Sequence, residues 1–395
     1  MGIEHDLGRP TWIEIDVNRL AGNMRRFREV LPGHVQIMAV VKADGYGHGA
    51  LPVSEVALAE GASMLGVASL EEGAYLRHNR IASPILVLGY TDPRKNRLLL
   101  ELDIIPSIFH WESAYSLSQQ ALGMGKRMPA HVKLDTGMGR LGLRNVRDSI
   151  HFLENVYHLP GIALQGVYTH FATADDEEDG SFALEQLQQF EDILHACREK
   201  GLDIQIKHAA NTAAALKYPR SHLDMVRIGI GLYGCYPGNG VDRSLIKLLP
   251  VMSWKSRIVF LKKVPAGTPI SYGRSFITRS NTLIATVPLG YGDGFSRLFS
   301  NRGVMLVRGK KVPVTGRVCM DLTMLDVGRV PLVKEGDEVV VFGEQGAEAI
   351  LVDELAEQLG TIHYEVLCNV GKRVPRFYLQ SGELERGIME YNHFR

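Results

Sequence analysis

Apolar and polar positions change their rhythm partway along the chain. From Trp12 to about Gly234, short apolar runs of strand length alternate with segments whose apolar residues recur every three or four positions, the spacing of an amphipathic helix. A first helix is expected over 18–31. Strands are expected over 36–42, 63–69, 84–89, 104–109, 130–135, 162–170, 204–208 and 225–231. Helical segments fall between them, over 51–60, 70–80, 94–102, 111–122, 146–157, 181–200 and 212–216. That is about eight β/α alternations in about 220 residues, the count and length of a closed (β/α)8 barrel of TIM type. An open doubly wound sheet is the competing architecture. It usually carries fewer strands, and the first turn here lacks the G-x-G-x-x-G pattern of a dinucleotide fold.

After about Val241 the helical period fades. Strand-like runs over 255–264, 282–288, 304–307, 312–316, 322–327 and 338–342 are separated by Gly, Pro, Asn and Asp. This predicts a mainly antiparallel β domain with one helix, over 352–359. The boundary falls near Pro237-Gly238-Asn239-Gly240. The expected division is a barrel over 12–240 and a β-rich domain over 241–395, with residues 1–11 joining the latter. The run 11–16 is also a candidate strand of that later domain. The five acids of 175–179 read as a solvated loop.

Composition narrows the classes. The 395 residues carry 44 Lys and Arg against 44 Asp and Glu, so no basic surface recommends nucleic acid or an anionic membrane as partner. Cys197, Cys235, Cys319 and Cys368 are widely spaced without a C-x-x-C, which argues against a disulfide framework and a structural zinc site. The amino terminus has no apolar leader and no run reaches membrane-spanning length, so the chain is expected to be cytoplasmic.

Candidate chemistry gathers at the predicted strand ends, where (β/α)8 enzymes place it. Lys42 closes the first strand, ahead of Gly45, Gly47 and Gly49. A lysine amine at the end of a buried strand is costly unless paired or used, and desolvation of such an amine makes the usual Schiff-base nucleophile. Lys133 and Asp135 lie on the fifth strand and His170 ends the sixth. His208, Asn211 and Thr212 follow the seventh, and Arg227, Gly229 and Ile230 lie on the eighth. Barrels commonly bind phosphate with the loops after strands seven and eight, here Asn211-Thr212 and Gly229-Ile230. Phosphate on one side and a Schiff-base lysine on the other is what pyridoxal phosphate needs. A metal hydrolase would want a His-x-His pair at an early strand end, where Lys-Ala-Asp stands instead.

The residues also resemble those of bacterial alanine racemases over essentially the whole length. The carrying stretches are Ala39-Val40-Val41-Lys42-Ala43-Asp44-Gly45-Tyr46-Gly47-His48-Gly49, Lys133-Leu134-Asp135-Thr136-Gly137-Met138-Gly139-Arg140, Tyr168-Thr169-His170-Phe171-Ala172-Thr173-Ala174-Asp175 and Val226-Arg227-Ile228-Gly229-Ile230-Gly231. The later domain adds Ser271-Tyr272-Gly273, Gly290-Tyr291-Gly292-Asp293-Gly294, Gly316-Arg317-Val318-Cys319-Met320-Asp321 and Tyr364-Glu365-Val366.

The resemblance implies a pyridoxal-phosphate-dependent isomerase, a homodimer whose active sites are shared between subunits, interconverting L- and D-alanine by two bases and supplying D-alanine for peptidoglycan. It implies that Lys42 carries the cofactor and is one base, and that Tyr272 of the other subunit is the second. Arg227 would face the pyridine nitrogen, Arg140 the cofactor's phenolic oxygen, and His170 would link Arg227 to Tyr272. Tyr46, Thr212, Gly229, Ile230 and Tyr364 would hold the phosphate. Met320 and Asp321 would contact substrate, with Arg140. Asp175, Tyr291, Arg297, Arg317 and Ile362 would line the substrate's access, and Lys133 matches a lysine that is often carbamylated. Thr212 stands where many members have Ser, and the hydroxyl is kept.

The chemistry suits these residue types. Racemisation removes the α-proton from one face and returns a proton to the other, so two bases on opposite faces suffice. An ordinary tyrosine, pKa about 10, needs a cationic neighbour to serve as one of them. An arginine, effectively always protonated, cannot protonate-and-release a ring nitrogen as a carboxylic acid can. Three other readings compete: a racemase of another small amino acid such as serine, a non-catalytic pyridoxal-phosphate carrier, and a two-domain decarboxylase that would use a cysteine such as Cys319.

Overall fold

The computed structural model describes residues 9–176, 180–380 and 383–388. Residues 1–8 of the amino-terminal segment and 177–179 of the acidic run lie outside the described residues. The chain forms two compact units, one of Met1–Arg19 with Pro250–Arg395 and one of Leu20–Leu249.

Strand β1 (Thr11–Asp16) belongs to the first of these and is taken up with it below. In the second unit, eight parallel strands follow in chain order: β2 (Gln36–Val40), β3 (Met64–Val67), β4 (Ile85–Val87), β5 (Ile105–Ile108), β6 (Met128–Lys133), β7 (Ile162–Tyr168), β8 (Ile206–His208) and β9 (Met225–Ile228). Their order, β8-β7-β6-β5-β4-β3-β2-β9, is sequential except that β9 returns to β2, where Ala39 lies opposite both Leu65 and Ile228. The N–H groups of Asp224 and Arg227 donate to the carbonyls of Lys207 and Ala210, joining β9 to the β8 end of the row and nearly closing the barrel. Met38, Met64, Leu86, Ile105, Ile206 and Met225 form one buried cluster from six different strands. Burying each such side chain contributes about 1.5–3 kcal/mol. Gly66 is needed on β3, because a Cβ there would sit 2.9 Å from the Met38 sulfur.

The strands are shorter than the apolar runs predict. The run 36–42 stops pairing at Val40, 162–170 at Tyr168 and 225–231 at Ile228. Apolar residues continue past the last ladder bond because the turns there are buried too. Lys42 and Ile230 therefore open short helical turns, and His170 and Gly229 sit on loops, just beyond the strands rather than in them.

In the other unit, β1 pairs antiparallel with β10 (Met252–Arg257) and, along its other edge, runs parallel to the late strand Arg376–Gln380. The run expected over 255–264 is two strands, β10 and β11 (Phe260–Val264), in different sheets. The chain changes neighbours over two residues: the Ile258 N–H donates to the Asp337 carbonyl and the Val259 N–H to that of Thr286. β12 (Pro269–Ile270) and β13 (Phe276–Ile277) form a small hairpin. β14 (Thr282–Val287), β15 (Val304–Val307), β16 (Lys310–Pro313), β17 (Thr323–Asp326), β18 (Glu338–Gln345), β19 (Glu348–Ile350), β20 (Arg376–Gln380) and β21 (Glu383–Ile388) complete a large mostly antiparallel sheet and a three-stranded one, β11-β14-β17. A helix spans Val352–Leu359, and a second, His363–Cys368, was not expected. Six residues are under two turns, too short to show a period.

Candidate active site

The barrel's first strand end is conformationally unusual. Just after Val40 and Val41, Lys42 opens a turn in which Ala43, Asp44, Gly45 and Tyr46 all have φ between 52° and 59°. Left-handed backbone costs about 1–2 kcal/mol at each non-glycine residue, so three such residues need external support. Glu72 supplies part of it: its carboxylate accepts the N–H of Ala43 (2.8 Å) and of Ala68 (2.7 Å), tying the ends of β2 and β3 together. Asp44 Oδ1 accepts the Ala50 N–H at 2.8 Å, fixing the start of the next helix. The turn delivers Tyr46, buried, to the end of β9, where a Cβ on Gly229 would lie 2.8 Å from its hydroxyl.

Arg227, on β9, is the buried hub of the site, 3% exposed. Its Nη1 donates to the His208 carbonyl and to His208 Nδ1, both at 3.1 Å. Its Nη2 donates to the carbonyls of Thr169 (2.8 Å) and Ala209 (2.9 Å) and to His170 Nδ1 (3.1 Å). No carboxylate pairs with it, and its Nε makes no hydrogen bond among the described residues. A guanidinium only donates, so both histidines accept at Nδ1 and carry their proton on Nε2. His208 Nε2 then donates to His131 Nδ1 (2.9 Å), and His131 Nε2 to Gln165 Oε1 (3.3 Å). Every ring in this row is neutral. Burial first, and the Arg227 charge after it, hold the His208 and His170 pKa values well below the usual histidine value; burial pulls His131 to about 4. Burial also lowers Arg227, to about 10, which leaves it cationic at neutral pH. Tyr168 stacks on His208 (centroids 4.7 Å apart) and shares a hydrogen bond with Ser107; burial raises it to about 12.

Lys133 ends β6, buried, with its Nζ 5.3 Å from the centre of the Tyr168 ring. Burial, then the charges of Arg140, Arg227 and Lys42, pull its pKa down to about 8. The nearby Asp135 Oδ1 is engaged by the N–H groups of Gly137 (3.1 Å) and Gly139 (2.9 Å), which shape the loop presenting Arg140 to solvent. Asp175 is exposed on the loop after His170. Across the rim, Asn211 caps the helix Thr212–Lys217 by accepting the Ala214 N–H (3.0 Å), and Thr212 Oγ1 accepts the Gly229 N–H (3.0 Å). Ile230 then opens a short helical turn. Lys42, Tyr46, Lys133, Arg140, His170, Asp175, Asn211, Thr212, Arg227, Gly229 and Ile230 thus all lie at or just past the carboxyl ends of barrel strands.

The rim has three chemically distinct parts: an amine at Lys42, an oxyanion cradle of hydroxyls and helix-start N–H groups around Thr212, Gly229 and Tyr46, and a donor-only Arg227 Nε between buried neutral rings. They fit, respectively, the aldehyde, phosphate and pyridine nitrogen of pyridoxal phosphate.

The β unit carries its own set. Tyr272 is 69% exposed at the tip of the β12–β13 hairpin. Ser271, at φ 63°, donates its hydroxyl to the Arg317 carbonyl (2.6 Å), and a Cβ on Gly273 would lie 3.1 Å from the Arg317 guanidinium. The Tyr291 and Gly292 N–H groups donate to the carbonyls of Cys319 (3.0 Å) and Met320 (2.9 Å). Tyr272 and Arg317 are therefore adjacent, as are Tyr291, Met320 and Asp321. The Arg297 turn joins the same loop, since Ser300 donates to the Arg297 carbonyl and accepts the Val318 N–H. Ile362 caps the helix that carries Tyr364. Sequence reasoning missed Glu72, His131, Asp293 and Arg373. The Ser69-x-x-Glu72 spacing was a usable signal for Glu72, as an N-cap with an acid in the first turn; for Arg373 there was none.

The family description "Alanine racemase, N-terminal domain" matches residues 15–237, and "Alanine racemase, C-terminal domain" residues 251–378. The alanine racemase of Halothermothrix orenii is 46% identical over 370 residues, 94% of this chain and 97% of that one. That of Methanococcus maripaludis is 43% identical over 94% of this chain and 100% of that one. The solved alanine racemase of Clostridium difficile superposes with a TM-score of 0.92 at 38% identity, covering 96% of this chain and 98% of that one. That of Bacillus anthracis with bound L-Ala-P does so with a TM-score of 0.90 at 38% identity, covering 96% and 97%.

Proposed function

The chain belongs to the alanine racemase family, a pyridoxal-phosphate-dependent isomerase, and we propose from that premise how its own residues interconvert L- and D-alanine. The observation that carries the reading is Arg227: buried, saturated on both Nη atoms by carbonyls and neutral histidines, with no hydrogen bond at Nε among the described residues. Bound pyridoxal phosphate supplies an electron sink that makes the α-proton of alanine removable. Lys42 anchors that group and moves the proton on one face; Tyr272 of a second copy moves it on the other. His170, held by Arg227 with its proton on Nε2, is the donor that steadies the phenolate form of Tyr272. Arg227 Nε donates to the pyridine nitrogen and cannot protonate-and-release it, which keeps side reactions low.

Tyr46, Asn211, Thr212, Gly229, Ile230 and Tyr364 hold the phosphate, and Arg140 the phenolic oxygen. Arg140, Met320 and Asp321 contact alanine, and Asp175, Tyr291, Arg297, Arg317 and Ile362 line its access. Lys133 sits buried among cations with a lowered pKa. Its neutral amine can add CO2, forming an N–C bond and releasing one proton, and the resulting carbamate puts a negative charge near Arg140 in place of a positive one. The second copy finds large exposed apolar side chains on the β unit, Tyr272, Leu298, Ile362 and Met320 among them. Tyr272, Tyr364 and Met320 leave room for a small side chain, and one small group is worth only about 1–3 kcal/mol, so slow turnover of serine accompanies that of alanine. No helix among the described residues is long and apolar enough to cross a membrane, in keeping with action on free alanine in the cytoplasm.

Proton NMR of the enzyme with L-alanine in heavy water, with chiral analysis, tests this. The α-proton signal should vanish while both enantiomers accumulate. Retention of the α-proton and of chirality would leave a cofactor carrier.

A further inference from the structure

The β unit holds a charge cluster that the reaction just described does not use. Asp293 is fully buried in the Gly290–Gly294 stretch. Its Oδ1 accepts Arg373 Nε at 2.7 Å and Arg9 Nη1; its Oδ2 accepts Arg9 Nη2 at 2.8 Å and the Gly290 N–H at 2.9 Å. Arg373 reaches onward: its Nη2 donates to Asp321 Oδ1 at 2.8 Å and, more weakly, to the Met320 carbonyl at 3.4 Å. Arg9 also donates to the Pro288 carbonyl. The four charges balance, in the order Arg9, Asp293, Arg373, Asp321.

The backbone around them leaves no slack. A Cβ on Gly290 would lie 2.3 Å from the carbonyls of Cys319 and Met320, and one on Gly292 would lie 2.5 Å from Arg373 Nη2. The loops 290–294 and 319–321 are therefore held together twice, by paired backbone groups and by Arg373. Met320 and Asp321 themselves are more than half exposed, so packing does not fix their side chains. A buried charge cluster is a poor source of stability, because desolvation offsets the attraction. Its distinctive product is geometry. The planar fork of Arg373 binds one carboxylate through Nε and the other through Nη2 at a fixed angle, which a lysine cannot do.

We propose that Asp293 and Arg373 are positioning residues for racemisation: Asp293 aims Arg373, and Arg373 sets Asp321 and Met320 at the surface that meets alanine. The inference rests on the reading of Met320 and Asp321 as substrate contacts.

A double-mutant cycle on the holoenzyme tests both and separates them. Arg373→Ala, Asp321→Ala and the pair are compared for kcat and KM in each direction, with cofactor absorbance and Tm as controls. Each single change should lower kcat/KM by about 10- to 100-fold, the scale of a reacting group misplaced by about 1 Å, with cofactor absorbance unchanged. The double variant should be no worse than the worse single one. Arg373→Lys keeps a charge beside Asp293 and loses the fork, so it should keep Tm near the parent value and still lose kcat/KM; it carries the test if Arg373→Ala does not fold. An unchanged kcat and KM in Asp321→Ala overturns the substrate-contact reading, and the inference with it. A loss in Asp321→Ala together with normal kinetics in Arg373→Lys, or effects of the two singles that multiply, overturns the positioning role alone.

Discussion

Ala43, Asp44 and Tyr46 show how much local strain surrounds Lys42, the lysine proposed to anchor the cofactor. Their left-handed backbone is held at its start by Glu72, through the Ala43 N–H, and further on by the Asp44 carboxylate, through the Ala50 N–H. Removing the Glu72 carboxylate takes away two hydrogen bonds to exposed N–H groups, each contributing about 0.5–1.5 kcal/mol net. Glu72→Ala should therefore lower Tm by several degrees and release the cofactor more readily, read by absorbance after dialysis; an unchanged Tm and unchanged retention would mean the turn holds itself. The buried histidines make a second residue-scale prediction. His131 has a folded pKa of about 4 against 6.5 when free. The unfolded chain then binds the extra proton between those values, so stability is full above pH 6.5 and falls as pH drops toward 4. His131 alone contributes about 3 kcal/mol to that loss. Urea midpoints between pH 7 and 4 should show this slope, and His131→Gln should flatten it. An equal slope in both proteins would place the loss elsewhere.

At the scale of elements, the barrel was legible because each strand is a short apolar run followed by a helical period. The ends of those strands were less so. Periodicity records burial, and Val41, Thr169, Gly229 and Ile230, just past the paired residues, are buried like the strands before them. The split of 255–264 into β10 and β11 was hidden for a related reason. Ile258 stays buried while the chain changes partners, and nothing in residue type marks which neighbour it bonds. The candidate residues at the barrel rim were found by position and by resemblance. The supports were not: Glu72 and His131 behind the barrel rim, and Asp293 and Arg373 behind Met320 and Asp321 in the β unit, act largely through contacts far apart in sequence. Gly229 gives the element-scale prediction. A Cβ there would displace the Tyr46 hydroxyl, so Gly229→Ala should weaken cofactor retention about 10- to 100-fold, the scale of one lost hydrogen bond to a charged group. Retention equal to the parent's would remove Tyr46 from the phosphate cradle.

For the molecule as a whole, the proposed reaction is divided between two copies of the chain. Lys42 lies at the rim of the barrel, and Tyr272 projects, largely exposed, from the β12–β13 hairpin of the other unit. The exposed apolar side chains around Tyr272 give a second copy something to bury. The most direct test is complementation. Lys42→Ala and Tyr272→Ala proteins, each inactive alone, are unfolded or dissociated together, reassembled and assayed for racemisation. In a two-fold dimer, half the pairs are mixed and each mixed pair has one complete site, so activity should return to about a quarter of the parent's. No recovery, with mixed dimers shown to have formed, would place both bases in one chain and contradict the account.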